Sequence, residues 1–211
     1  MNRDNLLKLI AETAYNVGFG AKKHLATFDI VVKVPGLIRL FSITVGIYSL
    51  AFNGLSSRFL SASLIILGII SLYISFYDSQ KDKYEEVGVS LIQLFNELKK
   101  LYFHVKEADD DALPESIEKL TQIESEYYQL SISKQILFSD WYTHYKFFWQ
   151  YQIDWLDEQK HFRLFRDKIP LSFLMMVLFL SIALAGWIFT SGAIPLEQVI
   201  LRLRSEFFFE K

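Results

Sequence analysis

Small polar residues set inside apolar runs are the most chemically suggestive feature of this sequence. In "FSITVGIYSLAFN", Phe41 to Asn53, the residues Ser42, Gly46, Ser49 and Asn53 recur at spacings of four, three and four. At about 100° per residue they fall within roughly 60° of one another on a helix. The run "FLSASLIILGIISLYISFY", Phe59 to Tyr77, repeats the device with Ser61, Gly68, Ser71 and Ser75, which lie within about 80°. Such stripes serve one of two purposes. They let helices approach closely, each serine satisfied by a carbonyl one turn back in its own helix. Alternatively they line water, which requires several copies around an axis because two or three helices enclose no lumen. Both uses are compatible, with contact at rest and exposure after assembly.

Conventional catalytic chemistry has little support. The fragment "GFGAKKH", Gly18 to His24, resembles a glycine-rich phosphate loop, but no strand precedes it and the Lys-Ser/Thr ending is missing. It reads instead as a helix kink beside a basic patch, with Lys22, Lys23 and Lys33 near anionic headgroups. His24, His104, His144 and His161 are scattered without ligand spacing, and the absence of cysteine removes disulfides and thiolate metal sites. Asp109, Asp110 and Asp111 read as a solvated turn rather than a calcium site. No nucleophile stands beside a base, so neither an enzyme nor a cofactor nor a bound metal is expected. A net charge of -2 gives no positive excess for nucleic acid. The aromatic stretch "DWYTHYKFFWQYQIDW", Asp140 to Trp155, has Lys146 as its one lysine or arginine, which suits core or inter-subunit packing better than base stacking.

The elements that must carry the stripes follow from hydropathy. With 211 residues, 52% hydrophobic and 22% charged, and a mean hydropathy of +0.22, part of the chain belongs in lipid and part in water. Residues 1–34 read as an N-terminal amphipathic cytoplasmic helix, with Leu6, Ile10, Val17 and Leu25 at helical intervals, Asp4 as cap, and Gly18 and Gly20 kinking or splitting it. The first long apolar run starts only near Val34, so no cleavable signal peptide is expected and the spans are retained. Pro35 and Gly36 punctuate the chain. Residues 35–77 then form an integral membrane helical hairpin of two spans, joined by a turn at Asn53 to Arg58. Arg39 lies near the start of the first span, where it can snorkel. Lys22, Lys23, Lys33, Arg39, Lys81 and Lys83 flank the hairpin on one side and only Arg58 marks the other, which places the N-terminus and the following segment inside the cell.

Residues 78–168 read as a cytoplasmic antiparallel helical arm. Tyr84, Val87, Leu91, Leu94, Leu98, Leu101 and Val105 alternate at three and four, a coiled-coil seam and the candidate surface for assembly, with the second span continuing into it unbroken. The chain reverses near Pro114 and returns through Leu120, Ile123, Tyr127 and Leu130, then Leu137, Trp141, Phe148 and Trp155, with "SISK" (Ser131 to Lys134) as a break. Residues 169–190 form a third apolar membrane helix, preceded by Lys160, Arg163, Arg166 and Lys168. Residues 191–211 read as a C-terminal amphipathic interfacial helix, with Leu196, Val199, Ile200, Leu203 and Phe207 on one face. The charge balance there allows either a crossing or a re-entrant course. The fold class is all-α.

The order of parts carries a resemblance. "GAKKHLATFDIVVKVPG" (Gly20 to Gly36), the tight hairpin, "SLYISFYDSQKDKYEEVG" (Ser71 to Gly88) and "LFNELKKLY" (Leu94 to Tyr102) together resemble the SLATT family, two-span membrane effectors associated with SMODS nucleotidyltransferases and SLOG sensors. The resemblance implies an anti-phage effector that oligomerises in the bacterial inner membrane and forms a pore or disrupts the bilayer, causing abortive infection. Its partners would be the lipid bilayer, further copies of itself, and an upstream sensor, nucleotidyltransferase or reverse transcriptase encoded nearby. The alternatives are a membrane anchor or scaffold for a defence complex, and a small channel. The third apolar run departs from the family's two-span plan.

Overall fold

The computed structural model describes residues 2–52, 58–107, 113–151 and 153–190. The described residues form helices and no strand: α1 (Arg3–Ala51), α2 (Arg58–Ser75), α3 (Lys81–Glu107), α4 (Leu113–Leu130), α5 (Ser139–Phe148), α6 (Asp154–Lys160) and α7 (Leu171–Thr190). The expected all-α class holds. Three of the helices are long and apolar enough to cross a membrane. The chain divides into two units, Met1–Lys168 and Ile169–Lys211.

The central element of the first unit is α1, which runs 49 residues without interruption, about 73 Å at 1.5 Å per residue and more than twice a hydrocarbon core. One helix therefore serves as both the backbone of the polar body and the first apolar span. Its N-cap is Asn2, whose Oδ1 accepts a hydrogen bond from the Asn5 amide at 3.0 Å. Asp4 lies in the first turn instead of capping, where its charge suits the helix dipole.

Gly18 and Gly20 do not split α1. A Cβ on Gly18 would lie 2.6 Å from the Phe95 ring, and one on Gly20 would lie 3.1 Å from Tyr127. These glycines provide clearance for neighbouring aromatic rings, and the contacts they permit hold the helix together. Pro35 and Gly36 do not end it either. Proline costs the helix one hydrogen bond, but the turns before it pack in the body, where Val31 is buried. The turns after it enter the apolar span, where an unpaired backbone is costlier still.

Across the body α3 runs antiparallel to α1: Gly88 meets Leu25, and Phe95 meets Gly18. Their facing stripes bury Leu6, Ile10 and Val17 with Leu91, Phe95, Leu98 and Tyr102, each large aliphatic contributing about 1.5–3 kcal/mol. From α4, Leu120 and Ile123 close this core, as do Trp155 and Leu156 of α6. The Thr13 hydroxyl donates to Glu124 Oε1 at 2.7 Å, and Lys119–Glu97 and Lys106–Glu158 pair on the rim.

The seam is thus an intrachain one. Tyr84, Val87, Leu91, Leu94, Leu98, Leu101 and Val105 are all buried within this chain. All but Tyr84 lie in the core shared with α1, and Tyr84 lies in a second cluster. The heptad spacing correctly marks a buried face, but its partner is α1 of the same chain, an equally apolar stripe separated from it only by the hairpin. Nor does α2 continue straight into α3: a turn at Phe76 and Tyr77 and a 3-10 turn at Asp78–Gln80 separate them.

Between α4 and α5 the segment from Ser131 to Phe138 leaves the helical conformation, as the "SISK" cluster suggests. Leu137, expected on the packed side of the returning chain, is exposed instead, as is its neighbour Phe138. In the second unit α7 is an apolar helix with most side chains exposed. The hairpin turn with Asn53, the acidic stretch Asp109 to Asp111 and the amphipathic segment 191–211 lie outside the described residues.

Candidate functional site in the cleft of the helical hairpin

The apolar halves of α1 and α2 face each other across an open cleft. An upper cavity of about 540 Å³ is lined by Arg39, Ser42, Gly68, Ser71 and Ser75 together with Ile38, Ile43, Leu64 and Leu72. A lower cavity of about 490 Å³ adjoins it and shares Arg39, Ser71 and Ser75, opening toward Asp78 and Lys81. The polar lining therefore continues from a charged mouth, where Lys81 Nζ sits 2.9 Å from Asp78 Oδ1, into the apolar zone.

Half of the expected stripe residues meet here. Ser42, Gly68, Ser71 and Ser75 line the cleft. Ser49 is half-buried and donates to the Val45 carbonyl at 2.8 Å, Ser61 is exposed, and Asn53 lies outside the described residues. The glycines do not act as close-packing residues within the chain: a Cβ on Gly46 or Gly68 would meet nothing within 4 Å. Several hydroxyls are satisfied locally, Thr44 by Leu40, Ser63 by Phe59 and Ser75 by Leu72, the back-bonding that makes serine cheap in lipid.

Charge alone places Arg39 near the headgroups. In the fold it also lines both cavities, its Nε donating to the Pro35 carbonyl at 3.3 Å. The signal was available, since Arg39 lies three residues before Ser42 and shares its face.

Beneath the cleft, a polar clamp ties the hairpin to the body. The segment between α4 and α5 is held by His24, whose Nε2 accepts from the Ile132 amide at 3.0 Å while Nδ1 donates to the Gly20 carbonyl at 2.7 Å. These bonds require the neutral Nδ1–H tautomer. Burial lowers the His24 pKa; the Gly20 bond opposes that and Lys23 adds to it. Tyr84 Oη donates to the Lys134 carbonyl at 2.6 Å, Thr27 Oγ1 donates to Gln135 Oε1 at 2.6 Å, and the Leu137 amide donates to Tyr73 Oη at 3.2 Å. Val31, Ile74, Tyr77, Tyr84 and Ile136 form the apolar cluster around them. Sequence spacing gave no sign of this clamp, because its members sit on separate elements and each bonds to backbone or amide groups of an irregular segment.

The basic residues are not a free headgroup patch. Lys22 Nζ lies 3.9 Å from the Tyr151 ring centroid, Lys23 pairs with Asp140 at 2.7 Å, and Lys33 pairs with Asp29 at 2.6 Å. Asp29 also pairs with Lys146. Burial pushes the Asp29 carboxyl up, but the hydrogen bonds from Lys146 and Lys33 outweigh it and leave the pKa below the ordinary value. Among the described residues no group of histidine and acidic side chains is arranged to hold a metal. The arrangement binds helices together and presents, between two spans, a cleft into which a few polar groups are set.

Neither the curated proteins nor the solved structures include a match to the chain. A family model described as SMODS and SLOG-associating 2TM effector domain 6 matches residues 1–177, which cover the hairpin, its clamp and the whole helical body. The chain belongs to that SLATT family of membrane effector domains.

Proposed function

We propose that this protein is the membrane-disrupting effector of a bacterial anti-phage system, held in the inner membrane with its helical body in the cytoplasm. On receiving a signal from a neighbouring sensor, nucleotidyltransferase or reverse transcriptase, copies associate through the hairpin and open a hydrophilic path that ends growth of the infected cell. The observation that carries this reading is the cleft itself. Ser42, Ser71, Ser75 and Arg39 set a run of polar groups into a cleft whose upper lining is otherwise mostly apolar, between two helices whose outward faces are apolar. Two helices enclose no lumen, so a conducting path requires several hairpins around an axis. Gly46 and Gly68, uncrowded within the chain, leave room for such neighbours.

Because the heptad seam is buried inside the chain, association is assigned to the hairpin and not to α3. A signal reaching the body can reach the cleft through α1, one rigid helix common to both, and through the clamp. In the resting state the cleft is closed to through-flow. The scaffold alternative, in which the hairpin only anchors a defence complex, has the back-bonded hydroxyls on its side, since these need no water.

Reconstitution distinguishes the two. Protein in dye-loaded vesicles, supplied with the products of its neighbouring genes, releases dye if it is an effector. A verified oligomer that retains the dye is a scaffold.

A further inference from the structure

α5 crosses α1 in the body, and its two sides touch different levels of that helix. On one side Asp140 pairs with Lys23, His144 stacks edge-on against Phe19, and Phe147 reaches Gly18. On the other side Lys146 pairs with Asp29 and lies 4.7 Å from the Tyr142 ring centroid. Gly18 and Asp29 are about 16 Å apart along α1, more than the roughly 10–12 Å width of a helix with its side chains. The flank with His144 and Phe147 is therefore seated in the core, where Phe147 is fully buried, and Lys146, beside the opposite flank, reaches α1 at Asp29, some 9 Å short of Pro35 at about 1.5 Å per residue.

The flank turned out of the core is aromatic. Phe138, Tyr142, Tyr145 and Trp149 fall within about 60° of one another at 100° per residue, and Asp140, His144 and Phe147 lie on the opposite side. Phe138 is 53% exposed, Tyr145 51% and Trp149 65%. Tyr142 and Tyr145 stack nearly parallel, 6.4 Å between centroids. Phe138, with φ of 66°, breaks from the preceding segment just before the helix begins. Its neighbour Leu137, also exposed, is tied through its amide to Tyr73 in the last turns of α2, so the start of α5 sits where the second span emerges.

We infer that α5 lies along the bilayer surface on the body's side, with Phe138, Tyr142, Tyr145 and Trp149 in the headgroup layer. Tyrosine and tryptophan favour that zone because their rings are apolar and their N–H and O–H groups stay wet. An interfacial helix sinks its apolar face about 5–10 Å into this boundary, and each headgroup layer is roughly 5–8 Å thick, which matches the distance to Pro35. Lys146 beside the stripe is largely buried against Asp29 and the acidic Asp140 is turned away, so the stripe meets the headgroups through its rings and not through a free charge. The inference rests on the hairpin spanning the membrane.

The test uses single thiols, since the natural chain has no cysteine. Tyr145→Cys, Trp149→Cys, Ile43→Cys and Phe103→Cys are each labelled with an environment-sensitive fluorophore. The full-length protein is then reconstituted in phosphatidylethanolamine and phosphatidylglycerol vesicles. Ile43 lies within the first span, and Phe103 lies near the far end of α3. Labels at 145 and 149 are expected to emit blue-shifted light and to be quenched by lipids spin-labelled near the headgroup. The label at 43 is quenched most by mid-chain spin labels, and the one at 103 reads water. Aqueous spectra at 145 and 149 with normal quenching at 43 overturn the inference and leave the hairpin reading intact. Protection from a soluble quencher without lipid quenching assigns the stripe to a protein neighbour instead. Lipid quenching at 103 removes the specific assignment to α5. An unquenched label at 43 ends the spanning reading and this inference with it.

Discussion

The α-carbon of Gly88 sits directly beneath the Leu25 side chain, so close that a Cβ there would be 2.7 Å from Leu25 Cγ and 3.4 Å from the Ala21 carbonyl oxygen. This contact sets the spacing of α1 and α3, the two longest elements of the body. Gly88→Ala is expected to destabilise the body by about 1–3 kcal/mol, the usual cost of overpacking. By contrast Gly46→Ala and Gly68→Ala, in helix interiors where a Cβ meets nothing, should be neutral or stabilising by up to about 1 kcal/mol. Thermal unfolding in detergent checks both, and equal effects at the two kinds of site would refute the assignment of crowding to the body alone.

The clamp makes stability depend on pH. His24 and His144 both have pKa values below 6.5, in each case chiefly because burial penalises the charged ring. The unfolded chain therefore binds more protons than the folded one just below that value, and stability rises with pH there. The contribution is complete above about 6.5 and is lost as pH falls through the depressed folded values. Denaturation midpoints should drop between neutral and mildly acidic pH, and the drop should shrink in a His24→Gln, His144→Gln double variant. A midpoint unchanged or rising on acidification would contradict the neutral Nδ1–H form of His24.

Asp29 joins α1 to α5 through Lys146 while also holding Lys33. Asp29 and Lys146 are each 14% exposed at the side chain, so Asp29→Asn strands a largely buried ammonium. The expected cost is about 2–4 kcal/mol, between that of a charged hydrogen bond and that of a fully buried pair. In a double-mutant cycle with Lys146→Met, the second change should recover part of the loss. Additive losses would show that the two groups do not interact.

Leu94→Asp and Leu98→Asp place a charge in the intrachain core, and each should cost about 4 kcal/mol or more. Isolated protomers in detergent should lose their cooperative unfolding transition. A folded protomer defective only in association would return the seam to the role of an inter-copy surface.

Periodicity made the two spans, the buried face of α3 and the break at Ser131 to Lys134 legible before any coordinates. It could not say what α3 packs against, because the face of α1 bearing Leu6, Ile10 and Val17 is an equally good partner for another copy's α3 and for its own. Gly18, Gly20 and Pro35 misled for one reason: local propensity treats them as breaks, whereas the surrounding rings and the apolar environment favour an unbroken helix. Of the cleft, Ser42, Gly68, Ser71 and Ser75 were visible as stripes. Arg39 was seen only as a charge, and His24, Thr27 and Tyr84 were invisible as a unit because tertiary contacts alone bring them to one segment.

The central claim is that the cleft between the spans becomes a water path across the membrane only when the effector is triggered. Ser71 lines both of its cavities, and Ser71→Cys would be the chain's sole thiol. The most direct measurement is the labelling of that thiol by a membrane-impermeant, hydrophilic reagent in cells carrying the neighbouring genes, before and after phage challenge. The account predicts protection before challenge and rapid labelling after it, in step with collapse of the membrane potential. Equal protection in both states, while the potential collapses, would contradict it.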